Sequence, residues 1–242
     1  MAVLWSHKER GNRYEVRSAG RTLRLYTGGA FHSAWHPDHI MTSGVWDLMS
    51  LALLHRETPV RKVLVLGVGG GTVIHQLLAL VPGVSVTGVE IDPVHIQVAR
   101  RFFALDDSRV NLIEADARTY LRTCRTRYDA IIDDIFVHAS GNDDPVRPFP
   151  PTTEWQLTLS RRLRSDGTLV QNHLSRPAAN AAAAAWPSTE VHAQVFTTPQ
   201  YDNRVLALYH EQLLPKVARA RCLAIVPPRE ARRIRFRSSR LR

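Results

Sequence analysis

The residues best suited to chemistry lie where an apolar run meets a cluster of glycines. Residues 63–66 are all apolar, residues 67–71 contain four glycines, and a second apolar stretch ends at Glu90. Glycines let a backbone approach a ligand that a Cβ atom would exclude, and a carboxylate at the end of the next strand can accept hydrogen bonds from ribose hydroxyls. This spacing predicts a nucleoside-binding βαβ unit, with a ligand-free glycine loop as the alternative. The turn residues expected to face the nucleoside are Gly67, Gly69, Gly70 and Gly71.

Three further carboxylates follow later apolar runs. Asp116 comes just after the run 109–114, where it can accept a hydrogen bond from an adenine amine or, alternatively, cap the next helix. Asp133 and Asp134 follow two isoleucines, and carboxylates buried there need partners. We expect Asp133 to cap or form a local salt bridge, and Asp134 to bind an amine or act as a general base on it.

Histidines are a weaker source of candidates. His32, His36 and His39 are closely spaced, but a proline interrupts any helix there and no cysteine joins them, so we predict no metal site. His138 and His173 follow predicted strand ends and can act as bases near neutral pH. For each of these two we favour a loop histidine that is hydrogen-bonded to backbone.

The elements that must position these residues alternate between strand and helix. Predicted strands cover 61–66, 84–90, 109–114, 128–133, 167–172, 189–197 and 203–210, and predicted helices cover 44–56, 72–81, 92–103, 117–123, 152–164 and 178–185. Such alternation predicts a mostly parallel sheet covered on both faces, with a hairpin at one edge. In open sheets of this kind the ligand lies outside the carboxyl ends of the strands, where every candidate above is found.

The chain divides into three predicted parts. Residues 1–43 read as a small extension of β-hairpins, residues 44–212 as the catalytic domain, and residues 213–242 as a basic, flexible tail. The tail has ten Lys or Arg residues against Glu230 alone, so it carries nine of the ten net positive charges. We favour a solvated, disordered tail over one that contacts nucleic acid.

Composition points to a soluble, cytoplasmic protein. The chain has 242 residues, 44% of them hydrophobic, and no apolar run long enough to span a bilayer. Its first ten residues lack the apolar segment of a signal peptide. Cys124 and Cys222 are far apart, which favours a reducing compartment over a disulfide framework.

Residues 61–172 resemble the core of the spermidine synthase (aminopropyltransferase) branch of the class I S-adenosylmethionine-dependent methyltransferase-like superfamily. The motifs that carry the resemblance are Val63-Leu64-Val65-Leu66-Gly67, Val89-Glu90-Ile91-Asp92, Asp116-Ala117, Tyr128-Asp129-Ala130-Ile131-Ile132-Asp133-Asp134 and Asp166-Gly167-Thr168-Leu169. The resemblance implies an α/β, Rossmann-like, seven-stranded and mostly parallel sheet.

The same resemblance assigns roles to individual residues. Glu90, with Ile91 beside it, is expected to hold the ribose, and Asp116, with Ala117, the adenine. Asp134 stands in the position of the family's catalytic aspartate and is expected to contact the donor. The implied donor is S-adenosylmethionine or its decarboxylated form.

Three positions depart from the family's pattern. Gly70 stands where the family has an aspartate that grips the donor's amine, and residues 135–137 replace a polar stretch that contains a second carboxylate. Val45 stands where an acceptor-binding tyrosine is expected. These groups would bind a polyamine, and Asp143 and Asp144 on the next loop are the candidates to replace them.

Because of these departures, the sequence favours methyl transfer from S-adenosylmethionine to an unidentified small-molecule acceptor. Methyl transfer needs mostly positioning and acceptor deprotonation, and the apolar residues 135–137 suit a less charged acceptor. The alternatives are aminopropyl transfer from decarboxylated S-adenosylmethionine to an amine, and a non-catalytic nucleoside-binding relative with a nucleic-acid-binding tail. Pairing into a homodimer through the N-terminal hairpins is a further expectation.

Overall fold

After four N-terminal strands, the chain alternates between strands and helices. The computed structural model describes residues 1–138, 145–212 and 214–241. Its strands are β1 (Ala2–Glu9), β2 (Asn12–Ala19), β3 (Thr22–Thr27), β4 (Ala30–Trp35), β5 (Lys62–Leu66), β6 (Ser85–Glu90), β7 (Val110–Glu114), β8 (Tyr128–Asp133), β9 (Val137–His138), β10 (Pro145–Val146), β11 (Leu163–His173), β12 (His192–Thr198), β13 (Tyr201–Tyr209) and β14 (Arg237–Arg240). Its helices are α1 (Val45–Leu54), α2 (Thr72–Leu80), α3 (Pro93–Phe102), α4 (Ala117–Thr123), α5 (Thr153–Ser160), α6 (Arg176–Ala184), α7 (Pro215–Ile225) and α8 (Pro228–Ala231). Within the described ranges, no helix is long and apolar enough to cross a membrane.

The central sheet has eight strands in the order β14-β12-β13-β11-β8-β5-β6-β7. The five strands from β11 to β7 are mutually parallel, whereas β13, β12 and β14 pair antiparallel at the other side. The α/β, methyltransferase-like architecture is therefore confirmed. The predicted count of seven strands is wrong, because residues 237–240 add an edge strand to β12.

Alternate residues of the inner strands face two different hydrophobic clusters. In β5, Val63 and Val65 pack in the cluster that contains residues of α1, α2 and α7. Leu64 and Leu66 pack in the cluster on the other face, with residues of α4, α5 and α6. Burying an aliphatic side chain stabilises the fold by roughly 1.5–3 kcal/mol, so the continuous apolar run that predicted this strand also anchors the turn that follows it.

A separate antiparallel sheet, β1-β2-β3-β4, forms the N-terminal extension. It packs on α3 through a small cluster that includes Tyr14, Val16, Leu25 and Val98. The predicted hairpins are confirmed, and the turn glycine Gly20 adopts a positive φ of 60°, which a glycine tolerates best. Strand β1 escaped sequence prediction because most of its side chains are exposed, which leaves no clear alternation.

The basic C-terminal segment is folded where the structure describes it, which differs from the expected flexible tail. Helices α7 and α8 and strand β14 pack on the domain, and the apolar residues Cys222, Val226 and Phe236 are buried. Glu230 is fully buried; it accepts a hydrogen bond from the Met41 amide at 3.0 Å and pairs with the histidine at position 39. The charge count misled the sequence analysis because widely spaced apolar residues between the arginines provide the packing face.

Replacing Glu230 by alanine should lower the free energy of unfolding by about 1–3 kcal/mol, because the buried Met41 amide loses its partner. Urea denaturation monitored by circular dichroism measures this change. The matched control is Glu190→Ala, at an exposed position outside any helix, which should alter stability by less than about 0.5 kcal/mol. Equal midpoints for the two variants would show that the C-terminal segment is not anchored through Glu230.

Candidate active site

Four of the predicted site residues meet at the carboxyl edge of the parallel strands. The turn 67–71 follows β5, Glu90 ends β6, and Asp134 directly follows β8. Gly67, Gly69, Glu90 and Asp134 all line one cavity of about 520 Å³. Parallel strands end at the same sheet edge, which is why residues 67 positions apart along the chain face a common space.

The Glu90 carboxylate joins the glycine turn to β6. Its Oε2 accepts hydrogen bonds from the amides of Val68 and Gly69, each at 2.9 Å, and its Oε1 accepts one from the Asp92 amide at 3.0 Å. Burial raises the pKa of Glu90, but His95 and the amides of Asp92 and Gly69 outweigh it and lower the pKa to about 2. Glu90 is therefore ionised at physiological pH, and its oxygens keep lone pairs that can accept further hydrogen bonds from the cavity.

The turn brings β5 against the end of β8. Gly67 has a positive φ of 82°, and a Cβ there would lie 2.3 Å from the Asp134 carbonyl oxygen. Only glycine combines this backbone conformation with so close an approach. Gly67 thus determines how near the turn lies to Asp134.

Every amide of the turn already has an acceptor within the protein. Besides the two amides on Glu90, Gly67 donates to the Val89 carbonyl at 2.9 Å and Gly71 to the Val68 carbonyl at 2.8 Å. Gly70 donates to Ser33 Oγ at 2.7 Å. In this conformation the turn offers no amide to an anionic ligand group, unlike loops that bind phosphate.

Gly70 and Gly71 do not face the cavity as the sequence analysis expected. A Cβ at Gly70 would lie 2.9 Å from the Ser33 Cβ and 3.2 Å from the Phe103 ring, and one at Gly71 would lie 2.5 Å from Leu105. Both residues pack behind the turn, against the N-terminal sheet and the segment after α3. An aspartate at Gly70 would collide with Ser33, which gives a structural reason for the departure from the family's pattern.

Asp134 is the acid of the cavity whose pKa is shifted upward. Its Oδ1 accepts a hydrogen bond from Asn172 Nδ2 at 2.8 Å. Burial raises the pKa of Asp134 to about 7, and the carboxylates of Asp133 and Glu90 add to this against the opposing effects of Asn172 and Arg147. A carboxyl that titrates near neutrality suits proton transfer from an amine.

Asp133 forms the local salt bridge that the sequence analysis expected. It is fully buried and accepts two hydrogen bonds from Arg147 Nη2, at 2.9 and 2.8 Å, with further ones from Trp155 and Gln171 at 2.9 Å each. Burial alone would raise the pKa of Asp133, but the Arg147 charge and these donors hold it below its usual range. With Asp133 saturated, Asp134 is the member of the pair that remains available to a ligand.

The predicted adenine-binding residues lie farther along the same edge. Asp116 caps α4 by accepting from the Thr119 amide at 2.9 Å, and it lines a second cavity of about 410 Å³ instead of the one at Glu90. Ala117 begins α4 and packs partly against the core, while Ile91 is 58% exposed beside Glu90. The helix-cap interpretation of Asp116 is confirmed, and its adenine contact stays a prediction.

The sequence analysis missed the contribution of the N-terminal sheet and of α3. His95 lines the cavity; its Nε2 lies 2.8 Å from Thr27 Oγ1 and its Nδ1 lies 3.7 Å from Glu90 Oε2. Phe31 and His32 of β4 line the same cavity. The signal for His95 was its place in the first turn of a helix that begins just after Glu90, but the contacts from the N-terminal sheet are long-range and leave no local signal.

The remaining histidine and loop candidates lie outside the cavity or outside the described residues. His173 is fully buried, and burial lowers its pKa to about 4, which fits a neutral structural residue. His39 pairs with Glu230. Over the part of the chain that the structure describes, no group of three or more potential ligands could hold a metal ion. The suggestion that Asp143 and Asp144 replace missing carboxylates falls outside the described residues.

Replacing Asp134 by asparagine should stabilise the unliganded protein at about pH 8. The folded-state pKa of about 7 lies above the ordinary value, so stability falls as the pH rises toward it, and the uncharged variant escapes that loss. Thermal melts should show a Tm several degrees above wild type at about pH 8, with the gain shrinking near pH 5. Asp133→Asn is the matched control and should lower the Tm instead, because it leaves Arg147 without a charged partner. A Tm for Asp134→Asn at or below wild type in alkaline buffer would contradict the assigned ionisation.

Comparison with known proteins shows the family to which the chain belongs. A family model described as the spermine/spermidine synthase domain matches residues 46–217. The polyamine aminopropyltransferase of Vibrio vulnificus is 30% identical over 190 residues, which are 74% of this chain but only 62% of that protein. The chain thus spans less than two-thirds of the length of this relative.

Solved structures share the fold. A probable spermidine synthase from Corynebacterium glutamicum matches with a TM-score of 0.75 at 17% identity, over 93% of this chain and 87% of that one. Human methyltransferase-like protein 13, in complex with SAH, matches with a TM-score of 0.57 at 24% identity, over 80% and 90%. Since the family model covers most of its length, the chain belongs to the spermine/spermidine synthase family.

Proposed function

We propose that this protein transfers an aminopropyl group from decarboxylated S-adenosylmethionine to an amine. The acceptor nitrogen attacks the aminopropyl carbon bonded to the sulfonium, the carbon–sulfur bond breaks, and methylthioadenosine leaves with the bonding electron pair. Asp134 accepts the proton that the acceptor nitrogen loses. Because the sulfonium activates the carbon, the protein's task is mostly to align donor and acceptor and to remove that proton.

The charge of the cavity is the observation that carries this proposal. Its described lining residues include the carboxylates Glu90 and Asp134 and no Lys or Arg. A donor with a sulfonium and an ammonium group, and no carboxylate, complements such a cavity. Intact S-adenosylmethionine adds a carboxylate, for which the turn amides are already occupied, and among the described lining residues no Lys or Arg is present to pair with it. Burying a charge without a partner is costly.

The sheet edge provides a path for the whole donor. Glu90 takes the ribose, and the exposed Ile91 offers an apolar face beside it. Asp116 lies two residues past β7, the strand next to β6. The amide of Ala115, between β7 and Asp116, donates to the Glu90 carbonyl at 3.0 Å, so Asp116 lies in the direction that the base would extend. The aminopropyl chain then points to Asp134, across the close approach that Gly67 permits.

Methyl transfer is the second candidate, and it was the first choice from sequence alone. Gly70 supports it, because the carboxylate expected to grip the donor's amine is missing at that position. The family match and the acidic cavity favour aminopropyl transfer over it. The two reactions share the nucleoside site and differ in the donor's tail and in the nucleoside product.

Product identification separates the two reactions. The protein is incubated with a mixture of primary amines and either decarboxylated or intact S-adenosylmethionine, and the nucleoside product is identified by mass spectrometry. We expect methylthioadenosine from the decarboxylated donor, and a drop of at least about a hundredfold in rate for Asp134→Asn. The surface variant Glu190→Gln, at an exposed position that lines neither cavity, should retain the wild-type rate. Formation of S-adenosylhomocysteine from the intact donor, with no methylthioadenosine from the other, would establish methyl transfer instead.

A further inference from the structure

The acceptor side of the cavity is the part that Phe31, Trp46, Phe136, Leu174 and Tyr201 form around Asp134. Its side chains are mostly apolar. We infer that the acceptor is a primary monoamine carried on an apolar body, and not a diamine. This inference rests on the proposed aminopropyl transfer and names the class of amine that the same site accepts. It follows from the side chains around Asp134 and from the engagement of the nearby acids elsewhere.

Aromatic and aliphatic side chains dominate this side of the cavity. Phe31 and Trp46 meet edge to face with ring centroids 5.1 Å apart, and Phe136 and Tyr201 line the same space. Leu174 is 44% exposed at the cavity, so a large apolar side chain there has no cover in the unliganded protein. Each methylene group that such a wall removes from water contributes about 0.8 kcal/mol.

The carboxylates near this wall are already engaged, apart from Asp134. Asp133 is saturated by Arg147 and two neutral donors. Asp47 of α1 is buried and accepts hydrogen bonds from the Thr42 and Ser43 amides and from Gln76. Among the described residues that line the cavity, Asp134 is therefore the single carboxylate on the acceptor side.

Two asparagines of the wall support Asp134 and carry no charge. Asn203 Nδ2 donates to Asn172 Oδ1 at 3.0 Å, and Asn172 Nδ2 donates to Asp134 at 2.8 Å. This chain of amides holds the carboxylate in place for the reacting nitrogen. A second ammonium group, at the far end of a diamine, would meet apolar side chains there and find no further carboxylate among the described lining residues.

Aromatic faces attract cations, but they do not replace a carboxylate here. A cation over an aromatic ring gains about 0.5–2 kcal/mol, which is less than the cost of burying an ammonium group without an anion. An alkyl or aryl body needs no such compensation and gains from the same surface. The apolar wall therefore favours amines whose far end is uncharged over amines that carry a second ammonium group there.

Matched amines test the inference with the full-length protein and decarboxylated S-adenosylmethionine. Release of methylthioadenosine is measured with hexylamine, with hexamethylenediamine, which differs by one distal amino group, and with phenethylamine. We expect kcat/KM for hexylamine and phenethylamine to exceed that for the diamine by at least about tenfold. A higher kcat/KM for the diamine would overturn the inference while leaving aminopropyl transfer intact.

A pair of variants at Leu174 gives a second readout. Leu174→Asp supplies a carboxylate at the wall and should shift the preference toward hexamethylenediamine, whereas Leu174→Asn, of equal size and without charge, should not. An unchanged preference in Leu174→Asp, with both variants folded and active on hexylamine, would count against the inference. If the wild-type protein releases methylthioadenosine with none of the amines, the proposed function itself fails, a result distinct from a preference for diamines.

Discussion

The buried, ionised carboxylate of Glu90 is the interaction on which the site depends. A charge removed from water must find donors, and Glu90 finds three in the amides of Val68, Gly69 and Asp92. These amides in turn would be left without an acceptor if the carboxylate were lost. The acid therefore fixes the glycine turn against β6, and the same oxygens are presented to the cavity. The same group thus holds the turn in place and lines the cavity.

The N-terminal sheet supplies side chains that support the glycine turn and the surroundings of Glu90. Ser33 Oγ accepts a hydrogen bond from the Gly70 amide. Thr27 Oγ1 is hydrogen-bonded to the ring of His95, which lies next to Glu90. All of β1 to β4 lies before residue 46, where the match to the family model begins, so part of this site is built from residues outside the matched stretch. This explains how a family position that carries an aspartate can be a glycine here: Ser33 fills the space that its side chain would need.

Sequence reasoning succeeded for residues whose position follows from the local order of apolar and polar residues. A continuous apolar run that ends in glycine or in an acid predicted the strand ends of β5, β6 and β8, and so placed Gly67, Glu90 and Asp134 at one edge. It also gave Asp133 a local partner and left Asp134 for a ligand, on the ground that carboxylates buried at a strand end need partners. These inferences need only local periodicity and the rule that parallel strands end together.

Sequence reasoning failed for contacts between segments that are far apart along the chain. Nothing near Gly70 indicates that Ser33 lies against it, and nothing near Glu230 indicates that it binds the Met41 amide. The arginine-rich composition of residues 214–241 suggested a flexible tail, although a few apolar residues at suitable intervals dock it on the domain and add the eighth strand. The choice between methyl and aminopropyl transfer depends on which charged side chains line the cavity. Side-chain orientation determines that set, and local sequence patterns do not predict it.

The most direct test of the account is a calorimetric titration with methylthioadenosine, which contains the ribose and adenine of either donor. Glu90→Gln keeps the shape of the side chain and removes its charge, and Glu114→Gln changes the residue paired with it in register on β7. We predict that wild type and Glu114→Gln bind alike, and that Glu90→Gln binds about tenfold to a hundredfold more weakly while remaining folded. Equal affinities for all three proteins, or no affinity in the wild type, would contradict the assignment of this sheet edge as a nucleoside site.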